Sequence, residues 1–451
     1  MSLDELVPVP GAAAPRAAQD DDGGAAGSDD RLRPRLHVRP ERGWLNDPNG
    51  VCRVDGRYHV FFQHNPAAPV HGDIAWGHAS SSDLLHWREE PLALVPRAGV
   101  AGAPDAAGCW SGCLVVDDGV PTAVYSGVVG DGGGLAEVLL ARGDADLRVF
   151  EQGARGVAPL PADPGVSDVR DPFLFRHEGR RLAVQGAGRP GGTPQVLLYD
   201  AEDLERWEPL GVLLTGEDPA AAALAPADIW ECPNLLPLDG RWVLVLSLWR
   251  WVDGQHALSG VTALVGDLVP DGRGYRFAVD DGSPLDGGPA FYAPQALVEP
   301  HRVLLWGWSW ELDRTPEQVA EAGWAGVLTT PRELVLAGGA VVSRPARELV
   351  GLRREQLALD ALGGEAAFEV TGRGGAVLRL RAADGSLQDV VRAADDDGDW
   401  RLLVDGSLVE LFSERPPTTT RAYPEAGARW ELVAGSPATT ASLQAWRLGI
   451  P

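Results

Sequence analysis

Short apolar segments alternate with turns along most of the chain, and one arrangement recurs five times. Each copy has a polar or aromatic start, an apolar strand, a turn and a second apolar strand. The copies read DPNGVCRVDGRYHVFFQ from Asp47, WSGCLVVDDGVPTAVYSG from Trp110, RDPFLFRHEGRRLAVQG from Arg170, WECPNLLPLDGRWVLVLS from Trp230 and FYAPQALVEPHRVLLWGWS from Phe291. A repeat of this length indicates an array of similar structural units, so it is interpreted before any single residue.

Four of the five copies turn on an acidic residue followed by glycine. These turns are Asp55-Gly56, Asp118-Gly119, Glu178-Gly179 and Asp239-Gly240, and Glu299-Pro300-His301 takes their place in the fifth copy. Because glycine reaches a positive φ without steric cost, each copy predicts a β-hairpin. Equivalent starts fall at Asp47, Ser111, Asp171, Glu231 and Phe291. Their spacing of about sixty residues favours radially arranged four-stranded blades over a helical solenoid.

The pattern changes after about residue 335 to shorter alternating runs, AAFEV, AVLRLRA, WRLLVDGSLVELF and ASLQAWRLG, separated by Gly- and Asp-rich turns. Such runs are typical of an antiparallel β-sandwich. The predicted fold is therefore all-β: a five-bladed β-propeller over residues 33–337, followed by a β-sandwich over 338–451. We place the boundary at the Gly338-Gly339 pair. Residues 1–32 are predicted to be a disordered tail, since they lack an apolar period.

Composition limits the partners that the protein can have. The net charge is -25, so nucleic acid and anionic membranes would be repelled and a small neutral substrate is favoured. The start, MSLDELVPVPGAAAP, lacks the features of a secretory signal, and no stretch of about 18 apolar residues occurs, so we expect a cytoplasmic monomer or homodimer. No metal or cofactor is predicted. The cysteines, expected to be free thiols, match no zinc spacing: Cys52, Cys109, Cys113 and Cys232.

Acidic residues occupy three of the five equivalent starts. These are Asp47, Asp171 and Glu231. In a propeller, equivalent strand ends meet around the central channel, so the three carboxylates are expected to share one funnel. A single acid would more often cap a strand or pair with an arginine such as Arg170, but three in register favour a functional site.

Such carboxylates suit the cleavage of a glycosidic bond, which needs one protonated carboxyl and one ionised carboxylate. Glu231 lies between apolar neighbours, a setting that favours the protonated form of a general acid. Asp47 follows Asn46, whose amide favours the ionised form of a nucleophile. Asp171 follows Arg170, whose charge also favours ionisation, and could stabilise positive charge that develops on a sugar ring.

A longer series of motifs resembles glycoside hydrolase family 32 over nearly the whole chain after about Arg33. The series is RPRLHVRPERGWLNDPNG, FFQHNP, WGHASSSDLLHW, WSGC, RDP, WECP, FYAPQ, GVLTTPRELVL and LLVDGSLVELF. The resemblance implies a β-fructofuranosidase that retains anomeric configuration through a covalent fructosyl-enzyme intermediate. It implies that Asp47 is the nucleophile, Asp171 the transition-state stabiliser and Glu231 the acid/base. The carboxyl groups of Asp47 and Glu231 should then lie roughly 5 Å apart.

The same resemblance implies a pocket for the terminal fructose, lined by Asn46, Gln63, Trp110, Ser111, Arg170 and Trp308. Three positions depart from the family pattern. His71 stands where many members have Trp, and Ala290 stands where Asp is common. Both substitutions are expected to alter the pocket rim and hence the leaving-group preference. Cys113, after WSG, is expected to be harmless.

Several functions remain open at this stage. The first is hydrolysis of sucrose or short fructans. The same fold could also serve a fructosyltransferase, a hydrolase specific for levan or inulin oligomers, or an inverting enzyme such as the related arabinan-cleaving propellers. A carbohydrate-binding propeller without catalysis is a further alternative, although it would not need three acids.

Overall fold

The computed structural model describes residues 7–8, 31–130, 134–396 and 398–450. The predicted disordered tail, residues 1–32, lies outside this part of the chain except for residues 7–8 and 31–32. The short strand β1 (Val7–Pro8) pairs antiparallel with a later strand at Ala257 and Leu258.

Antiparallel hairpins build the first two sheets. The first contains β2 (Gly43–Val54), β3 (Arg57–Asn65), β4 (Ala75–Ser81) and β5 (Arg88–Leu94) in chain order. The second contains β6 (Gly108–Asp117), β7 (Val120–Val128), β8 (Glu137–Gly143) and β9 (Phe150–Gln152). Each is a four-stranded meander, as the repeats predict.

Two further meanders are joined in one larger sheet. The first comprises β10 (Asp168–His177), β11 (Arg180–Gly188), β12 (Gln195–Asp200) and β13 (Glu208–Thr215). After the short helix α1 (Pro219–Leu224) come β14 (Ile229–Leu238), β15 (Arg241–Val252), β16 (Gln255–Asp271) and β17 (Gly274–Pro284). The pair Gly188–Ile229 joins the two meanders, and β1 lies on the edge of β16. The all-β fold is confirmed, whereas the count of five separate blades stays a prediction.

The fifth repeat forms a sheet whose two β-hairpins are separated in the chain by a helix and two short strands. The strands are β18 (Tyr292–Glu299), β19 (Arg302–Ser309), β20 (Trp324–Ala325), β21 (Val327–Leu328), β22 (Arg332–Ala337) and β23 (Ala340–Pro345), with helix α2 (Pro316–Ala322) after β19. Strand β20 leaves this sheet and pairs in parallel with the start of β2. Gly338-Gly339 is the turn of the β22–β23 hairpin, because both residues have a positive φ. The sheet therefore continues past the boundary predicted at residue 338, to Pro345.

The last part of the chain forms two antiparallel sheets. The strands are β24 (Arg353–Leu357), β25 (Ala367–Arg373), β26 (Ala376–Arg381), β27 (Leu387–Ala393), β28 (Asp399–Asp405), β29 (Leu408–Phe412), β30 (Thr418–Arg421), β31 (Arg429–Ala434) and β32 (Gln444–Leu448). The order is β24-β32-β25-β28-β29-β30 in one sheet and β27-β26-β31 in the other. Helix α3 (Pro437–Ser442) and 3-10 helices at Arg347–Leu352 and Leu359–Gly364 connect them. Apolar side chains such as Phe368 and Trp430, with ring centroids 6.0 Å apart, fill the core of this region.

The predicted hairpin turns are confirmed by the backbone. Both residues of all four acidic-glycine turns have positive φ values, for example 47° at Asp55 and 80° at Gly56. This geometry is that of a two-residue type I′ turn, whose twist matches that of the flanking strands. The local sequence therefore determines where each hairpin reverses.

A buried ionic network connects the segment before β2 with the later sheets. The ring of His37 lies with Nδ1 2.7 Å from Asp405 and Nε2 3.1 Å from Glu410. Arg332 donates to Glu410 at 2.7 Å and to Asp286 at 2.8 Å. The arginine and its two carboxylates are at most 1% exposed. Buried charges are stable only when paired in this way, so the network holds residue 37, β22 and β29 in one arrangement.

Candidate active site

A β-bulge interrupts the first strand of every meander at an equivalent place. The register shifts between Leu45 and Pro48, Trp110 and Gly112, Arg170 and Phe173, Glu231 and Asn234, and Tyr292 and Gln295. A bulge re-aims side chains and is common beside active sites. The residues at or next to the five bulges are Asn46-Asp47, Trp110-Ser111, Arg170-Asp171, Glu231-Cys232 and Tyr292-Ala293.

These bulges correct the alignment of the fourth and fifth repeats. The sequence aligns Glu231 with Asp171. In the structure, the residue at the bulge position of Asp171 is Cys232 in the fourth repeat and Ala293 in the fifth. The φ values of the three residues are 61° at Asp171, 45° at Cys232 and 44° at Ala293. Glu231 corresponds instead to Arg170 and Tyr292, one residue earlier. Arg170-Asp171 and Glu231-Cys232 thus each bring two neighbouring residues to the site.

Hydrogen bonds hold the carboxylate of Asp47 in place. Asn46 donates to Oδ1 at 3.0 Å, while Gln63 and Ser111 donate to Oδ2 at 3.1 and 2.6 Å. The amide of Gln63 also contacts the hydroxyl of Ser111. Asn46 accepts a bond from the indole of Trp44 at 2.8 Å, so its own orientation is set. Four predicted site residues from three strands therefore meet in one network.

Cys232 connects two of the acids. Its backbone N–H donates to Oδ2 of Asp171 at 2.9 Å, and its sulfur lies 3.5 Å from Oδ2 of both Asp171 and Asp47. The backbone N–H of Asp171 is in turn bonded to Ser126 at 2.8 Å. Burial raises the pKa of the Cys232 thiol well above its usual value, and the three carboxylates add to this effect. The uncharged thiol thus lies between the carboxylates of Asp47 and Asp171, which are 124 residues apart in the chain.

Glu231 has polar partners, which corrects the apolar setting inferred from its neighbours in sequence. Arg170 donates from Nε and from a terminal nitrogen to Oε1, each at 2.9 Å, and the hydroxyl of Tyr292 donates to Oε2 at 2.7 Å. Arg170 also contacts Asp168 at 3.2 Å. The sequence interpretation assigned Arg170 to the neighbouring Asp171, but its hydrogen bonds go to Glu231 and Asp168. The bulge turns Asp171 to the other side.

Burial dominates the electrostatics of the remaining two acids. It raises the pKa of Asp47 to about 6, although the hydrogen bonds from Ser111 and Asn46 act in the opposite direction. Burial also raises the pKa of Asp171, against the charge of Arg170. The ionised forms expected from the sequence are therefore less favoured than predicted. Because burial raises the pKa of both groups, Asp47 and Asp171 retain a proton at weakly acidic pH more readily than exposed carboxyl groups do.

Aromatic rings surround this network. Trp44 lies between His71 and Trp308, with ring centroids 6.3 and 5.6 Å away, and His71 also contacts Trp110 at 5.8 Å. Trp110 and Trp308 are thus both present near the acids, with Trp308 only 5% exposed. Ala290 is fully buried and its N–H donates to the carbonyl of Thr419, so it does not lie on the rim as expected.

Tyr292 and Cys232 were missed as site residues by the sequence interpretation. Tyr292 occupies in the fifth repeat the position that Arg170 occupies in the third, immediately before the bulge. This equivalence could have identified Tyr292 as a site residue. Cys232 was considered only as a free thiol. All four cysteines are free.

No metal centre is found within residues 31–130, 134–396 and 398–450, where no group of three or more His, Cys, Asp or Glu side chains is arranged to hold an ion. Among the helices described, none has the length and apolar character needed to cross a bilayer.

Comparison with known proteins places this site in a family. Residues 37–345 match the glycosyl hydrolases family 32 N-terminal domain. Sucrose-6-phosphate hydrolase of Klebsiella pneumoniae is 39% identical over 334 residues, which are 71% of this chain and 68% of the relative. Raffinose invertase of Escherichia coli is 36% identical over 335 residues, which are 71% of this chain and 66% of that protein.

Solved structures agree over a longer part of the chain. A Bombyx mori GH32 beta-fructofuranosidase variant in complex with sucrose has a TM-score of 0.75 at 27% identity, covering 93% of this chain and 94% of that one. Sucrose-6-phosphate hydrolase from Lactobacillus gasseri, at 23% identity, shares the fold with a TM-score of 0.78 and coverage of 94% of both chains. The chain therefore belongs to glycoside hydrolase family 32 and is a glycoside hydrolase of the β-fructofuranosidase type.

Proposed function

We propose that the protein hydrolyses the terminal β-fructofuranosyl bond of sucrose or a short fructan with retention of configuration. Asp47 is the nucleophile, Glu231 the acid/base and Asp171 the stabiliser of positive charge on the fructosyl ring. The fold of the proposed enzyme is a five-bladed propeller followed by a C-terminal β-sandwich. The enzyme would need no cofactor and would act in the cytoplasm. The single observation that carries the proposal is the thiol of Cys232, which lies 3.5 Å from both Asp47 and Asp171 and directly follows Glu231 in the chain.

The first step is attack of Asp47 on the anomeric carbon of fructose. Its hydrogen bonds to Asn46, Gln63 and Ser111 orient the carboxylate and leave it little freedom, which lowers the entropic cost of attack. As the glycosidic bond breaks, Glu231 donates a proton to the leaving oxygen and the bond electrons pass to that oxygen. A covalent fructosyl ester of Asp47 results.

The second step reverses these roles. Glu231, now ionised, removes a proton from water, which attacks the anomeric carbon and releases Asp47. The partners of Glu231 hold it in place for this exchange, because Arg170 donates to one carboxylate oxygen and Tyr292 to the other. The bonds of Arg170 go to Glu231 and Asp168, so the charge of Asp171, when it is ionised, can act on an oxocarbenium-like ring.

Replacing each acid by its amide tests the assignment. We expect Asp47→Asn and Glu231→Gln to lower kcat on sucrose by about 10⁴-fold or more with unchanged thermal unfolding, because each removes an essential group while keeping its shape. Asp118→Asn is the matched control, since Asp118 lies in an exposed hairpin turn. Activity that persists in both amide variants would overturn the proposal.

Methanolysis tests retention. With sucrose and excess methanol, a covalent intermediate gives methyl β-fructofuranoside, whose anomeric configuration NMR reads directly. The α-anomer would indicate single-step inversion and contradict the assigned role of Asp47. Chromatography of the products from concentrated sucrose separates hydrolysis from transfer to sugar, and a predominance of trisaccharide would identify a fructosyltransferase.

A further inference from the structure

One tryptophan is exposed, although indole rings are costly to leave in water. The chain has 16 Trp residues, all within the described part, and Trp251 alone among them has an exposed side chain, at 45%. It lies near the tip of the β15–β16 hairpin. Trp249 is paired with Ile229, the first residue of β14. The β15–β16 hairpin therefore extends beyond the N-terminal end of β14, which is the end that carries Glu231.

Three aromatic rings form a stack along this hairpin. The centroids of Trp249 and Trp251 are 5.8 Å apart with an interplanar angle of 26°, and those of Trp249 and His256 are 5.6 Å apart at 27°. Trp249 is buried in the middle. Residues 249 and 251 share one face of β15 because strand side chains alternate. The stack thus presents a flat aromatic surface to solvent.

Glu231 pairs with Ser247 in the β14–β15 ladder, and Trp249 lies two residues further along the same face of β15. Burial lowers the pKa of His256 and of His71, and the charge of Glu231 acts against this effect at both rings. During cleavage Glu231 faces the leaving oxygen, whereas Asp47 attacks the opposite side of the anomeric carbon. The stack therefore lies on the leaving-group side of the bond.

In the described structure, no arginine side chain without a bonding partner lies on the face of β15 that carries these rings. Burial lowers the pKa of both His71 and His256, so each ring is neutral at pH 7. Arg170 is bonded to Glu231 and Asp168. Arg250 lies on the opposite face of β15, because strand side chains alternate, and lines cavities of about 250 and 860 Å³ beside α1.

We propose that Trp249, Trp251 and His256 form a leaving-group subsite that selects an uncharged sugar over a phosphorylated one. The inference rests on the proposed function. The apolar face of a hexose stacks on the indole of Trp251. A phosphate on that sugar would bring about two negative charges toward three carboxylates with no free cation to pair with.

Substrates with different leaving groups isolate the subsite. We expect Trp251→Ala to raise KM for sucrose by about tenfold with kcat unchanged, and to leave KM for methyl β-fructofuranoside unchanged, because methanol is too small to reach the stack. Trp251→Phe, which keeps a ring, should restore most of the sucrose affinity. Trp446→Ala, a half-buried tryptophan of the C-terminal sheets, is the control and should affect neither substrate.

The outcomes separate the two proposals. An equal rise of KM on both substrates, or no rise on either, would overturn the subsite alone. Native protein that cleaves neither substrate would overturn the proposed function, and the subsite with it.

Charge selectivity has its own test. At pH 7 we expect kcat/KM of the native enzyme to be at least about tenfold higher for sucrose than for sucrose phosphorylated on the glucose 6-hydroxyl. Trp251→Arg, which adds a cation to the platform, should narrow this ratio. Equal or higher kcat/KM for the phosphorylated sugar with the native enzyme would refute selection of an uncharged leaving group.

Discussion

Substituting His37 by glutamine tests the ionic network that connects the segment before β2 with the later sheets. Burial by itself would lower the pKa of His37, but Asp405 and Glu410 outweigh it and raise the pKa from 6.5 to about 9. The imidazolium is therefore present in the folded protein at neutral pH. In the unfolded chain the same ring loses its proton near pH 6.5.

The size and sign of the effect follow from linkage. A rise from 6.5 to about 9 corresponds to about 3 kcal/mol, at about 1.4 kcal/mol for each pH unit. Because the folded pKa is the higher one, this stabilisation is complete below pH 6.5 and is lost as the pH rises to about 9. The side chain of His37 is only 3% exposed, so solvent screens the pair little.

Urea unfolding followed by tryptophan fluorescence between pH 6 and 9.5 measures the effect. We expect the free energy of unfolding of native protein to fall by about 3 kcal/mol relative to His37→Gln across this range. His301→Gln, at an exposed position, is the control and should follow the native curve. Native and His37→Gln curves that run parallel from pH 6 to 9.5 would refute the reasoning.

Three further predictions concern the site and its frame. Acidification below pH 6 should lower kcat/KM by about tenfold per unit, because Asp47, whose pKa burial raises to about 6, must be ionised to attack; a flat profile from pH 4.5 to 6.5 would contradict this. Tyr292→Phe removes the 2.7 Å bond to Glu231 and should lower kcat about tenfold with unchanged thermal unfolding, and an unaltered kcat would exclude a positioning role. Gly326→Ala should destabilise the fold by more than about 3 kcal/mol, since its φ is 79° and a Cβ would lie 1.9 Å from a backbone oxygen of β2. Gly56→Ala, with φ 80° but open space, should cost only about 1 kcal/mol, and equal costs in urea unfolding would show that the close approach is unimportant.

Local sequence predicted the hairpin turns, and the repeat predicted that the three acids lie close together. Asp55-Gly56 and its three counterparts form the expected turns, because positive φ is a property of two adjacent residues and needs no distant contact. The identity of Asp47, Asp171 and Glu231 as neighbours in space also followed from the repeat. A repeated unit places equivalent positions together whatever the details of packing.

Spatial detail beyond the repeat required the tertiary structure. The bulges displace Cys232 into the position expected for Glu231, and they direct Arg170 to Glu231 instead of Asp171. The hairpin at Gly338-Gly339 continues the fifth sheet because β22 finds its partner in β19. Partners in neighbouring sheets lie about sixty residues apart, so no local pattern of apolar and polar positions encodes their pairing.

The ionisation of the acids shows most clearly which properties follow from the sequence and which from the tertiary structure. The sequence by itself determined which carboxylates are present and that they converge. Only the tertiary structure decided how deeply Asp47 and Asp171 are buried and which acid receives the single guanidinium. The physical reason is that the free energy of a charge depends on all the groups and solvent around it, which are set by the packed fold and not by the neighbours in the chain.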